Sequence, residues 1–140
     1  MPATNYKYQI YSAIKTALAE LTGTTVVDGS PFFENKNLTG SKVLGVCFSS
    51  ETWELVGTRV HCEATYLIDG FYENAYGDME NYLSWLEDVI EKLNSEWDYD
   101  LGYIKKSYIA VIRTAAGLMQ PHGSFSIELR VQYYREARGF

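Results

Sequence analysis

Cysteine is almost missing from this sequence: there are two, Cys47 and Cys62, too few for a disulfide scaffold and in no CxxC or Cys/His grouping that would build a structural metal site. Proline is equally sparse at 3 and glycine stops at 11, so wholesale disorder is not expected. No apolar run approaches the roughly 18–20 residues of a membrane span, and the N-terminal stretch lacks the basic and apolar regions of a signal peptide. The expectation is a soluble, unexported protein in a reducing compartment. Basic charge is also short. Twelve Lys and Arg face 18 Asp and Glu, a net charge of −6 that argues against a surface built mainly to grip phosphate backbones.

What is present is unevenly placed. Residues 78–100 carry Asp78, Glu80, Glu87, Asp88, Glu91, Glu96, Asp98 and Asp100 against the single base Lys92, a local balance of −7, while the remainder is nearly neutral. Such a run is either a solvated helix face or an electronegative surface turned to a partner or a channel. Twelve tyrosines lift the aromatic share to 15%, and tyrosine is enriched where proteins meet. At 140 residues and 46% hydrophobic content the chain fits one domain, residues 1–140.

Periodicity supplies the elements. Ile10, Ile14, Ala17, Leu18 and Leu21 recur at helical spacing and predict a helix over Asn5–Leu21, with Thr4 or Asn5 as N-cap and Gly23 as the left-handed stop. Thr24–Val27 reads as a short strand ended by Asp28-Gly29-Ser30-Pro31. Phe32–Lys42 has no period and reads as an exposed arm or loop. A strand over Val43–Ser50 follows, then a connection at Glu51–Gly57. The next strand, Thr58–Asp69, alternates Val60, Cys62, Ala64, Tyr66 and Ile68 with polar neighbours. Asp69-Gly70 is expected to open a second connection.

The clearest helical stripe is Met79, Tyr82, Leu83, Leu86, Val89, Ile90, Leu93 and Trp97, which predicts a helix over Asp78–Trp97 capped by Asp78. Strands over Tyr103–Thr114 and Gly123–Arg135 complete the chain, joined by a loop at Ala115–His122. The order α-β-β-β-α-β-β predicts an α+β fold with two helices packed on a mostly antiparallel sheet of about four to five strands.

The motifs of chemistry do not assemble. Cys62 and His61 are strand neighbours that point to opposite faces, and Cys62 belongs to the apolar series, so it reads as a small buried hydrophobe. His122, in a Pro/Gly loop, has no partner at metal-ligand spacing. Asp69, Glu73 and Asp78 cluster near a helix entry, where capping and solubility account for them as simply as acid–base catalysis does. Asp98-Tyr99-Asp100-Leu101-Gly102 resembles the start of a calcium loop, but the glycine comes a place early and the closing glutamate is missing. No GxxxxGK[ST] or GxGxxG cradle occurs. Asn37-Leu38-Thr39 fits a glycosylation pattern that has no meaning without secretion. No cofactor, metal or catalytic residue is assigned, and an enzyme is not expected.

The joint order of parts carries a resemblance. An amphipathic first helix, Val26-Val27-Asp28-Gly29-Ser30-Pro31 entering a loop, Thr52-Trp53-Glu54 leading into a long alternating strand, an acidic helix containing Trp85, and a last strand ending Val131-Gln132-Tyr133-Tyr134 together resemble the tail terminator (minor tail protein U-like, tail completion) family of long-tailed bacteriophages. The resemblance spans nearly the whole chain. It implies a virion protein without turnover, assembled in the host cytoplasm as a homo-oligomeric ring, usually hexameric. Such a ring caps the tail tube, ends its polymerisation and provides the surface for head–tail joining.

Implied partners are other copies of the chain, the tail tube protein and the head–tail connector or neck proteins, with DNA only in non-specific transit and no membrane. Expected contact residues are the aromatics least explained by a monomer core, namely Phe32, Phe33, Trp53, Tyr72 and Tyr76. Glu87, Asp88 and Glu91 are candidates for an acidic surface facing the DNA channel. Another neck or head-completion ring protein shares this description. From other classes, a small α+β ligand-binding domain would use the sheet face as a pocket, and a hydrolase would use Asp69, Glu73 or His61.

Overall fold

The computed structural model describes residues 4–29, 42–95, 97, 101–114 and 122–136. The elements are α1 (Tyr6–Ala19), β1 (Thr25–Asp28), β2 (Lys42–Val56), β3 (Arg59–Tyr72), a 3₁₀ turn (Ala75–Gly77), α2 (Met79–Leu93), β4 (Ile104–Thr114) and β5 (Gly123–Glu136). The strands form one sheet in the order β1-β2-β3-β5-β4. Among the described strands only β1–β2 is parallel. The fold is therefore α+β, with the predicted element order. Phe32, Phe33 and the expected arm lie outside the described residues, as do most of the loop before His122 and the 98–100 segment.

The alternation in β3 and β5 decides which side of the sheet is covered. Val60, Cys62, Ala64, Tyr66 and Ile68 of β3 lie beside Val131, Leu129 and Ile127 of β5 in a buried layer that also takes Leu44 and Val46 of β2. Ile10, Ile14 and Leu18 of α1 and Tyr82, Trp85, Leu86, Val89 and Leu93 of α2 close it from above. Asn5 is the N-cap of α1, its side chain accepting from the Tyr8 N–H at 3.1 Å. The helix stops at Ala19, two residues before the predicted end, and Gly23 adopts φ +74° just beyond.

The expected connection at Glu51–Gly57 is in fact strand. β2 runs on to Val56 and returns through Gly57-Thr58, with Gly57 at φ +64°. A bulge between Phe48 and Ser50 hides this from the sequence, because one extra residue inverts the phase of everything after it. Leu44, Val46 and Phe48 share the helix-facing side; past the bulge that side passes to Glu51, Trp53 and Leu55, opposite Ala64, Cys62 and Val60.

The second expected connection also fails. Gly70 is a buried strand residue paired with Phe125, and β3 continues to Tyr72. The glycine is there because the Phe125 ring occupies the space a side chain would need.

α2 is shorter than predicted. It ends at Leu93, and Trp97 supplies its indole N–H to the Leu93 carbonyl at 3.1 Å while the Ser95 hydroxyl donates to the Lys92 carbonyl at 2.6 Å. Asp78 stands at the N-cap, but its carboxylate accepts from the Tyr72 hydroxyl (3.0 Å) and the Asn81 amide (2.9 Å) instead of the helix backbone. The helix is also rotated from the predicted stripe: Met79 and Leu83 are exposed, and Trp85 is core.

Candidate self-association surface

The helix layer does not cover the whole sheet. The first turn of α1 lies over Tyr66 and Tyr133, with the Tyr66 hydroxyl donating to the Lys7 carbonyl at 2.7 Å and Tyr6 stacked on Tyr133 at 5.5 Å between centroids. Beyond it the β2–β3 hairpin continues with large apolar side chains in the open: Trp53 is 50% exposed, Leu55 57% and Val56 46%. Phe48 is exposed at the root of the same edge, its ring edge-on to Tyr66. These side chains leave apolar surface in the open on both sides of the hairpin end, Trp53 and Leu55 on the helix side and Val56 on the other.

A buried carboxylate fixes the hairpin to the domain. The Glu51 side chain, 7% exposed, accepts hydrogen bonds from the Tyr133 hydroxyl (2.5 Å) and the Trp53 indole N–H, and Lys7 Nζ lies 3.6 Å away. Three donors from three elements meet one acid. Burial, then the hydrogen bond to Glu51, pushes the Tyr133 phenol far above the usual tyrosine range. The Tyr66 phenol rises for the same first reason, with the Glu51 charge adding to it.

Cations rim the apolar end. The Arg135 guanidinium lies 4.7 Å from the Trp53 ring centre and 5.2 Å from that of Tyr6. On the other side of the sheet, Arg59 and Lys105 sit 5.4 and 5.7 Å from the Tyr134 ring, whose edge meets His61 at 4.4 Å. Lys105 is placed there by a second bulge, between Ile104 and Lys106.

The expected contact residues separate accordingly. Trp53 is at the centre of the exposed hairpin, and Tyr76 is exposed on the 3₁₀ turn at the far end of the sheet. Tyr72 is not a surface residue: at 5% exposure it packs against Tyr82 and Trp85 and takes the local-packing role. Glu87, Asp88 and Glu91 all lie on the outer, exposed face of α2, and no salt bridge among the described residues reaches them. Lys92 turns aside to Glu20, the C-cap of α1, at 2.5 Å. Phe48, Leu55, Val56 and the three cations escaped sequence reasoning; two adjacent apolar residues entering a Gly-Thr turn were the available signal.

The groups considered for catalysis stay apart. His61 and Asp69 occupy the same face of β3 eight residues apart, about 26 Å along a strand. Glu73 is exposed past the strand end. Cys62 is buried, and burial raises both its thiol and that of Cys47. His122 receives the Asn74 N–H on Nδ1 at 3.0 Å and packs against Phe71, holding a turn in which Asn74 is left-handed at φ 56°.

The open sheet face carries a polar lattice in which Glu63 accepts from Gln132 (2.8 Å) and Tyr108 (3.3 Å) and Arg130 pairs with Glu128 (3.0 Å). A cavity of about 860 Å³ is an open groove between α1 and the segment after α2, where Glu20 and Lys92 already satisfy each other. Among the described residues no three His, Cys, Asp or Glu side chains gather to hold a metal ion, and no helix is long and apolar enough to cross a membrane. No protein-family model and no curated protein sequence matches the chain.

Proposed function

We propose that this protein is a structural assembly subunit of the tail-terminator type: copies close into a ring on the end of a phage tail tube, stop its growth and present the surface that the head or neck joins. The observation that carries the reading is the hairpin, an apolar, aromatic end left outside the helix layer. A heterologous patch repeated around an axis closes a ring when its rotation closes. The α+β order that the resemblance implies accords with it. In this reading the acidic outer face of α2 repels a passing DNA backbone or serves a neighbouring subunit, and the protein acts by binding alone.

Electron microscopy of tails assembled with and without the protein tests the proposal. Its absence gives tubes of uncontrolled length that do not join heads. Tails of normal length without it refute the terminator role, and normal tails that nevertheless fail to join heads place the subunit elsewhere in the neck.

A further inference from the structure

We propose that the contact between copies is formed by the β2–β3 hairpin end of one subunit docking on the outer face of α2 of the next. This rests on the self-associating reading above and assigns its two surfaces. The hairpin end offers Trp53 and Leu55 with Arg135 on the helix side of the sheet and Val56 with Arg59 and Lys105 on the open side, with Glu54 the acid among them. The α2 face offers Met79 and Leu83, exposed one turn apart, flanked on the outer side by Glu80, Glu87, Asp88 and Glu91. Each surface therefore carries exposed apolar side chains, and the charges beside them are opposite in sign. The acids have no ion-pair partner among the described residues, since Lys92, the one base in their stretch, is engaged by Glu20.

Geometry excludes a contact within one molecule. The Tyr82 hydroxyl donates to the Ser124 carbonyl at 3.2 Å and Trp85 packs on Phe125 at 5.3 Å, so α2 covers the Gly70–Tyr72 end of the sheet. The hairpin turn is at the other end of β3, which at 14 residues spans about 45 Å. The complementary surfaces lie at opposite poles and can meet only between copies. Like surfaces repel: hairpin on hairpin brings cations together and α2 on α2 brings acids together, so the pairing that charge favours is hairpin on α2.

Two charge-reversed full-length variants test the pairing: Glu87→Lys with Glu91→Lys on the helix, and Arg59→Glu with Lys105→Glu at the hairpin end of the sheet. All four positions are exposed, and circular dichroism with thermal melting checks that the fold is kept. Sedimentation velocity across micromolar to millimolar concentrations is expected to show wild-type assemblies of several copies that dissociate as salt rises. Each variant alone should associate more than about tenfold more weakly, and an equimolar mixture should recover association, because each variant's unaltered surface then meets a partner of opposite sign. A wild type that stays monomeric overturns the proposal. Wild-type association unaffected by either reversal, or a mixture that does not recover, overturns this pair of surfaces and leaves self-association standing. The terminator role is judged separately, by tail length.

Discussion

The Phe125 ring fills the place of a side chain on its cross-strand partner Gly70: a Cβ at position 70 would sit 2.2 Å from Phe125 Cζ. Gly70→Ala should therefore destabilise the protein by about 1–3 kcal/mol through overpacking. Gly102→Ala, where a Cβ meets nothing within 4 Å, should leave stability unchanged or raise it by up to about 1 kcal/mol. Urea denaturation of the two variants measures the contrast, and equal effects would show that the close approach carries no cost.

Tyr133→Phe removes one of the donors that hold the buried Glu51 carboxylate and should cost about 1–3 kcal/mol. Tyr133→Phe combined with Glu51→Leu should cost less than the sum of the single changes, since the second substitution removes the acceptor left short. A denaturant-based double-mutant cycle reads the coupling.

Stability should fall in alkali. Tyr133 and Tyr66 are raised by burial, and Tyr72, Tyr82 and Tyr103 are also raised with burial the leading cause. The native state therefore keeps protons that the unfolded chain releases near the ordinary tyrosine pKa of about 10. Their contribution is complete below that pH and is lost above it, with a slope of up to about 1.4 kcal/mol per pH unit for each tyrosine. Denaturation midpoints between pH 8 and 11 should show the decline, flatter in Tyr66→Phe and Tyr133→Phe. A stability independent of pH over that range would contradict the burial of these phenols.

Trp85 lies in the core with its indole N–H donating to Thr24 Oγ1 at 3.0 Å, so Trp85→Ala should cost about 3–5 kcal/mol and Thr24→Val about 1–3 kcal/mol. Trp53→Phe withdraws a donor from Glu51 and should cost about 1–3 kcal/mol, while removing the fluorescence component that acrylamide quenches most readily in the monomer.

Lys92→Ala tests the other extreme. The Lys92–Glu20 pair links α2 to α1 at 2.5 Å but lies at the surface, with the glutamate side chain 62% exposed, and should be worth less than about 1 kcal/mol in thermal melting.

The sequence was legible where a single period persisted. β5 alternates from Phe125 to Tyr133 without interruption, and α1 shows its buried face at Ile10, Ile14, Ala17 and Leu18. It was misleading where a local event broke the period or where packing partners were distant. The bulge at Phe48–Ser50 made the outer half of β2 look like loop, and Gly70 looked like a turn because Phe125, 55 positions along the chain, is what requires it. Trp85 was left out of the predicted stripe because its neighbours Tyr72 and Phe125 come from strands on either side of α2 in sequence. The exposed hairpin was partly visible in Trp53, whereas its cationic rim depends on bringing Arg59, Lys105 and Arg135 together from three strands.

The strand order also constrains how the chain reaches its native state. β5 lies between β3 and β4, and among the described residues β4 pairs with no strand but β5. During synthesis β3 and β4 thus emerge with one flank each awaiting a strand not yet made, and α2 has no Phe125 to rest on. Maturation of the core is consequently a late, cooperative event, and a ribosome-bound intermediate lacking residues 123–136 would be prone to capture by chaperones.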